Sequence, residues 1–167
     1  MYVPYAAELS HKTHGQLDVA GRTLGRYRDA SKSGADKVRA HAEAYQPPMR
    51  FVELTPKTQD LLVSPHLRLE DLVVPDEDTG ERHTDVVPVN YELISGIETF
   101  RQALAHQGVD PDTLRFLSIF RSPRHNRAVG SGAFSRHKYM DAFDFIIDAD
   151  EDGAMDDLTG DGEVDRD

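Results

Sequence analysis

The clearest periodicity in the chain lies between Pro88 and Gly108, where Leu93, Ile97, Phe100 and Leu104 recur at intervals of four, three and four. That spacing puts the four on one face of a helix, and Gly108 stands where the helix would stop. Downstream, TLRFLSIF (113–120) is β-branched and aromatic and follows the turn-forming pair Asp110–Pro111, so it predicts a buried strand. SPRHNRAVG (122–130) offers Ser122 as an N-cap, Pro123 at the first helical position and Gly130 as the stop, which predicts a helix of about two turns. In AFDFIID (142–148), Ala142, Asp144, Ile146 and Asp148 fall on one side of a strand and Phe143, Phe145 and Ile147 on the other. Asp144 is therefore expected to face away from the aromatic side.

The pattern is weaker upstream. GQLDVAGRTLGRYRDA (15–30) reads as short strand pieces broken by glycines, and SKSGADK (31–37) as a loop. Between 45 and 75, Pro47, Pro48, Pro56, Pro65 and Pro75 leave room only for brief strands such as Arg50–Leu54. DEDTGERHTD (76–85) reads as a surface loop. The order of elements predicts an α+β fold, one small antiparallel sheet with helices against it. Three zones are expected: a small N-terminal β element over 1–47, the main domain over 48–147, and an acidic segment over 148–167.

Composition narrows the possible functions. A chain of 167 residues that is 38% hydrophobic can build one domain with a real core. It has no cysteine, which removes disulfides and thiolate metal sites and leaves the redox compartment open. No apolar run approaches the roughly 18 residues that a membrane span needs, and MYVPYAAELSHKTHGQ lacks the basic-then-apolar order of a secretory leader. Of the net charge of −11, residues 148–167 carry −9, with ten acidic residues against Arg166, so the first 147 residues stand near −2. An acidic chain with no basic stripe argues against nucleic acid as a partner.

The candidate chemistry sits in SRHKYMDAFDFIID (135–148). A carboxylate in a strand as apolar as that of Asp144 needs a partner. Neutral imidazole and carboxylate are both zinc ligands, and the Ser135–Asp141 loop is long enough to fold His137 back beside Asp144. On spacing alone a second reading stays open, in which His137 is a surface histidine and Asp144 pairs with Arg136 or Lys138.

Two motifs go further. Ser135, His137, Ala142 and Asp144 form S-x-H-x-x-x-x-A-x-D, which resembles the S-x-H-x-x-G-x-A-x-D signature of the zinc D-alanyl-D-alanine carboxypeptidases and dipeptidases, whose fold is shared by the Hedgehog signalling domain. SIFRSPRHNRAVG (118–130) resembles the segment that precedes that signature, matching at Arg121, Ser122, Pro123, Asn126, Val129 and Gly130. The resemblance implies that His137 and Asp144 are zinc ligands. It also implies that Arg121 polarises the scissile carbonyl or holds the substrate, and that Ser135 donates a hydrogen bond at the same site. By the same route the substrate would be a peptide such as the peptidoglycan stem peptide, and the setting periplasmic or extracellular.

The sequence departs from that family in several places. Met140 stands where glycine is usual, Phe143 where a smaller residue is common, and Ile119–Phe120 replaces Gly-Tyr. If that glycine takes a positive φ, methionine there is strained. Family members carry a third ligand, a histidine, beyond the aspartate strand, with an acidic general base two or three residues before it; here no histidine follows His137. Among earlier histidines, His125 falls on the short helix and is expected to be exposed. His66, His83 and His106 fall in loop or helix-surface contexts that do not suit ligation.

The acidic segment has its own pattern. DLTGDGEVDRD (157–167) follows the calcium loop of EF-hands and dockerin-like repeats, with Asp157, Thr159 and Asp161 at positions one, three and five, Gly162 at six, Glu163 at seven and Asp165 at nine. Its twelfth position, the bidentate carboxylate, falls just past Asp167. Asp148, Asp150 and Asp152 repeat the same opening ahead of Gly153, with Thr159 at the twelfth position. Oxygen-only clusters of this kind suit Ca2+. A loop lacking its last ligand and a zinc site lacking its last ligand together lead us to expect an N-terminal portion of a longer protein. The expected function is a zinc peptidase-like domain, inactive or fragmentary as it stands. The alternatives are a non-catalytic metal-stabilised binding module of the same fold, or a calcium-binding module.

Overall fold

The computed structural model describes residues 5–10, 15–76 and 79–164. Five short strands, β1 (Tyr5–Ser10), β2 (Gln16–Val19), β3 (Arg22–Arg26), β4 (Arg50–Glu53) and β5 (Val86–Pro88), form an antiparallel sheet in the order β3-β2-β1-β4-β5. The glycine-broken stretch 15–30 becomes the β2–β3 hairpin. Its two central residues, Ala20 and Gly21, have φ of 48° and 79°, as a type I′ turn requires. β1 pairs with β4 through Tyr5–Phe51, so the sheet runs across the 47/48 boundary. A short helix, α1 (Asp36–Ala40), begins inside the stretch read as loop and buries no residue.

α2 (Tyr91–His106) is the long helix that the apolar spacing predicts. Asn90 caps its start by accepting from the Glu92 N–H at 3.0 Å, and Gly108 with φ 83° follows its end. Its fully buried residues are Ile94, Ile97 and Arg101 rather than Leu93, Phe100 and Leu104. The reason is that the helix serves two contacts. Ile94 and Ile97 face a core of Leu17, Val19, Phe51, Leu72 and Val86, while Phe100 packs on Phe143 and Phe145 at 5.9 and 4.7 Å. Arg101 is buried because its guanidinium reaches the Pro111 carbonyl at 2.6 Å and Asp112 at 2.5 Å.

β6 (Leu114–Ser118) and β7 (Asp144–Ile147) form a separate two-stranded antiparallel ribbon, so there are two sheets where one was expected. A register irregularity after Phe116 sets Ser118 opposite Asp144. Between these strands lie α3 (Pro123–Ala128), capped by the Ser122 hydroxyl, and a 3-10 turn at Arg136–Tyr139. Gly25 of β3 presses on α3: a Cβ there would stand 2.8 Å from the Arg124 nitrogen, and its φ is 114°. Tyr27 and Tyr45 pack on Tyr139 at 5.4 Å each, and the Tyr27 hydroxyl donates to the Lys138 carbonyl at 2.8 Å. The N-terminal strands and their following loop are thus built against the turn that carries His137.

That turn ends at Met140, which is fully buried and left-handed, with φ 55° and ψ 50°. This is the backbone that the family's glycine would adopt freely; here the side chain packs in the core and the carbonyl accepts from Asn90 Nδ2 at 2.9 Å. Burial of the side chain offsets the backbone strain. Met140→Gly and Met140→Ala should both destabilise by about 2–4 kcal/mol through lost packing. Glycine should be the milder of the two by about 1 kcal/mol, reversing the usual order of alanine over glycine. Urea unfolding of the two variants checks this, and an alanine variant that matches or exceeds the glycine variant would show that the position carries no strain.

His83 lies between the rings of His125, stacked at 4.2 Å, and Phe120 at 6.2 Å, and its Nε2 accepts the Ser122 N–H at 3.0 Å. Burial, then the charges of His125 and Arg121, push its pKa down to about 3 from an ordinary 6.5. The folded value lies below the unfolded one, so this contribution is full above about pH 6.5 and is lost as the pH falls toward 3. Between pH 7 and pH 4 the loss should approach roughly 3 kcal/mol. His83→Gln, which keeps a neutral acceptor, should flatten the acid limb of a stability–pH curve measured by denaturation. An unchanged acid limb would remove His83 as its cause.

Candidate functional site

Three segments that local sequence makes independently meet at one carboxylate. β7 delivers Asp144, the 3-10 turn delivers His137, and the loop between β6 and α3 delivers Arg121. A backbone hydrogen bond from the Arg121 N–H to the His137 carbonyl at 3.2 Å holds the last two together. His137 Nε2 lies 3.2 Å from Asp144 Oδ2, and Arg121 Nη2 donates to the same oxygen at 2.8 Å.

The second atoms of these side chains are fixed as well. His137 Nδ1 stands 2.9 Å from the Ile119 carbonyl, an oxygen that can only accept, so Nδ1 carries the proton there and Nε2 keeps its lone pair for the Asp144 side. Arg121 Nε donates to Ser118 Oγ at 2.7 Å, and that hydroxyl approaches His137 Nδ1 at 3.4 Å. His137 is 8% exposed, whereas the Asp144 side chain is half exposed. A lone-pair nitrogen and a carboxylate oxygen facing each other, with a carbonyl orienting the imidazole from behind, fit a zinc ion as half of its coordination shell.

Arg121 lies where two clefts meet. One, of about 860 Å3, is lined by Asp144 and the apolar Leu117, Phe143, Phe145 and Leu158. The other, of about 510 Å3, sets His83 and His125 opposite Asp76 and Glu81. His125 is half-buried rather than exposed, because it stacks on His83. His66 lies away from both, paired with Glu98. Ser135 precedes the His137 turn, and its hydroxyl makes no hydrogen bond among the described residues. The hydroxyl that touches both Arg121 and His137 is that of Ser118. Nothing local in SIF marks it; only its cross-strand register with Asp144 does.

The acidic segment folds back on the end of β7. Asp156 N donates to the Ile147 carbonyl at 2.9 Å, and Asp156 Oδ2 accepts from the Ala149 N–H at 2.6 Å. This brings Asp148, Asp150 and Asp156 together, with one carboxylate oxygen of each within 4.8 Å of the others. Asp148 is buried; Oδ2 accepts from Gly153 and Arg115, and Oδ1 has no partner. Asp156 was not among the expected ligands, yet it is the ninth residue of the loop that Asp148 opens, a position that ligates in such loops. Asp152 accepts from Ala154. Asp157 holds the Gly160 and Gly162 N–H groups at 2.7 Å each and the Thr159 hydroxyl at 3.2 Å, and Asp161 accepts from the Glu163 N–H. None of Asp152, Asp157, Asp161 and Glu163 joins the Asp148 group, and Asp165 lies outside the described residues.

Among the described residues no helix is long and apolar enough to cross a membrane. In comparison with known proteins, a family model described as peptidase M15 aligns with residues 65–159, more than half of the chain. No curated protein and no solved structure matches. The aligned region takes in β5, α2, both strands of the ribbon, α3 and the turn between them, and with them Arg121, His137 and Asp144. The chain belongs to the peptidase M15 family, whose members are zinc-dependent peptidases.

Proposed function

We propose that this protein is a zinc metallopeptidase-like domain of the D-alanyl-D-alanine carboxypeptidase type, its substrate class being peptides such as the peptidoglycan stem peptide and its setting periplasmic or extracellular. The observation that carries the reading is the convergence of His137 Nε2 and Arg121 Nη2 on Asp144 Oδ2, at 3.2 and 2.8 Å. His137 and Asp144 would hold the metal. Zinc, when bound, supplies Lewis acidity and lowers the pKa of a coordinated water to about 7. Arg121, tied to Ser118 and Asp144, keeps its other terminal nitrogen without a partner among the described residues. That nitrogen is available to a terminal carboxylate or to the oxyanion that develops on the scissile carbonyl. Leu117, Phe143 and Phe145 give the neighbouring cleft an apolar wall that suits the methyl side chains of alanine.

The described residues gather two zinc ligands at this point, where catalytic zinc sites use three. That count favours a second reading, a non-catalytic module of the same fold in which the metal is structural. Our reading also includes Ca2+ in the acidic segment, at the loop opened by Asp148. The unpartnered, buried Asp148 Oδ1 beside Asp150 and Asp156 supports it.

The full chain should bind zinc with micromolar or weaker affinity, on the order expected when two protein ligands leave the rest of the shell to water. His137→Ala should abolish that binding in calorimetry; equal zinc uptake by the variant would remove His137 from the site. Arg121→Lys should leave zinc binding in place and lower kcat/KM on D-Ala-D-Ala-ended peptides about a hundredfold, because lysine cannot hold Ser118 and Asp144 and still offer a donor. If the zinc-loaded protein leaves such peptides intact, the binding-module reading takes over. For calcium, a hundredfold excess over Kd should raise stability by about 2.7 kcal/mol. Asp148→Asn should erase that gain and Asp157→Asn should not; the opposite ranking in a thermal melt would move the site to the second loop.

A further inference from the structure

A third cleft, of about 750 Å3, opens between β3 and α3 and reaches the His137 turn at Lys138. Arg26 and Arg28 enter it from β3 and the residues after it, Arg124 and Arg127 from α3, and Lys138 from the turn. No acidic residue lines it, although the chain holds 30 acidic residues against 19 basic. Among the described residues, none of the four arginines makes an ion pair or a side-chain hydrogen bond. Most other arginines of the fold do, including Arg22, Arg68, Arg82 and Arg101. Lys138 is 2% exposed, and its ammonium is satisfied by the Ala133 carbonyl and the faces of Tyr27 and Tyr139 at 5.2 and 5.5 Å, with no carboxylate. Gly25 makes this gathering possible, since its missing side chain lets β3 approach α3 closely.

Four arginines without a carboxylate partner share this one cleft, and an anion bound there would neutralise them. Four of the five cations are guanidiniums, whose planar forks match the paired oxygens of phosphate. The cleft is far larger than one phosphate ion and falls within the size range of small-molecule sites. We propose that the β3–α3 cleft binds an oligoanion carrying two or more phosphate groups. Condensed phosphate and a phosphodiester chain share the required chemistry. The inference rests on this cleft alone and does not depend on the peptidase reading.

The test is calorimetry of the full chain with sodium tripolyphosphate and, separately, with a short glycerol phosphate oligomer, in buffer without added divalent cations. At least one should bind, with affinity falling steeply as salt rises. The double variant Arg124→Ala/Arg127→Ala removes two exposed, unbonded side chains and should weaken binding more than about tenfold with an unchanged melting temperature. The double variant Arg39→Ala/Arg68→Ala removes equal charge elsewhere and should bind like the native protein. The tighter of the two probes identifies the source as condensed phosphate or phosphodiester, and either supports the proposal. It is overturned if neither probe binds, if both double variants weaken binding equally, or if poly-glutamate of similar charge binds more tightly than both probes.

Discussion

One carboxylate oxygen, Asp144 Oδ2, takes a guanidinium donor and faces an imidazole nitrogen at the same time, and the arrangement of the C-terminal half follows from that requirement. For Arg121 to reach it, β6 must end opposite the start of β7, which the irregularity after Phe116 achieves by pairing Ser118 with Asp144. For His137 to reach it, the chain turns back after Tyr139 through the left-handed Met140. Met140 thus sits in the turn that leads from the imidazole to the carboxylate seven positions on. Asn90, holding the Met140 carbonyl, makes the start of α2 part of the same assembly.

Charge is sorted around this point in a way that the net value of −11 conceals. Acidic groups collect beyond β7, where Asp148, Asp150 and Asp156 crowd together. Basic groups collect in the β3–α3 cleft. The His137 turn touches both strands of this pattern, with His137 meeting Asp144 at the start of β7 and its neighbour Lys138 lining the basic cleft. A field of this kind orients a ligand with unlike ends before any short-range contact forms.

What could be read from the chain alone was the part decided by local spacing. The Ser122 cap, Pro123 and Gly130 bound α3 where expected, and the alternation in AFDFIID gave β7, with Asp144 at its exposed start. That His137 and Asp144 come together was legible because one motif carries both residues. Ser118 and the Ile119 carbonyl were not, since their part depends on strand register and on a backbone oxygen that has no side-chain signature. The α2 face was displaced because Arg101 found internal acceptors, a tertiary effect that overrides periodicity. The basic cleft was invisible for a related reason: Arg26 and Arg28 lie far in sequence from Arg124 and Arg127, so no stripe marks them. Asp156 was legible in principle, as position nine of a loop, but the eye follows the repeated Asp-x-Asp opening.

The atoms that Gly25 presses on belong to Pro123 and Arg124, not to His137, Asp144 or the acidic loop, yet it acts as the gauge between the N-terminal sheet and that cluster. It sets the distance from β3 to Pro123 and Arg124, and the next two residues back along the chain are Ser122 and Arg121. Any side chain at 25 would have to wedge the sheet away from α3 and would also adopt a backbone conformation costly for an L-residue. In a library of random variants this position would therefore tolerate as little as His137 or Asp144, and a survey of mutational sensitivity would map it to the site although it contacts no ligand. A residue without a side chain thus transmits the geometry of the amino-terminal strands to the arginine.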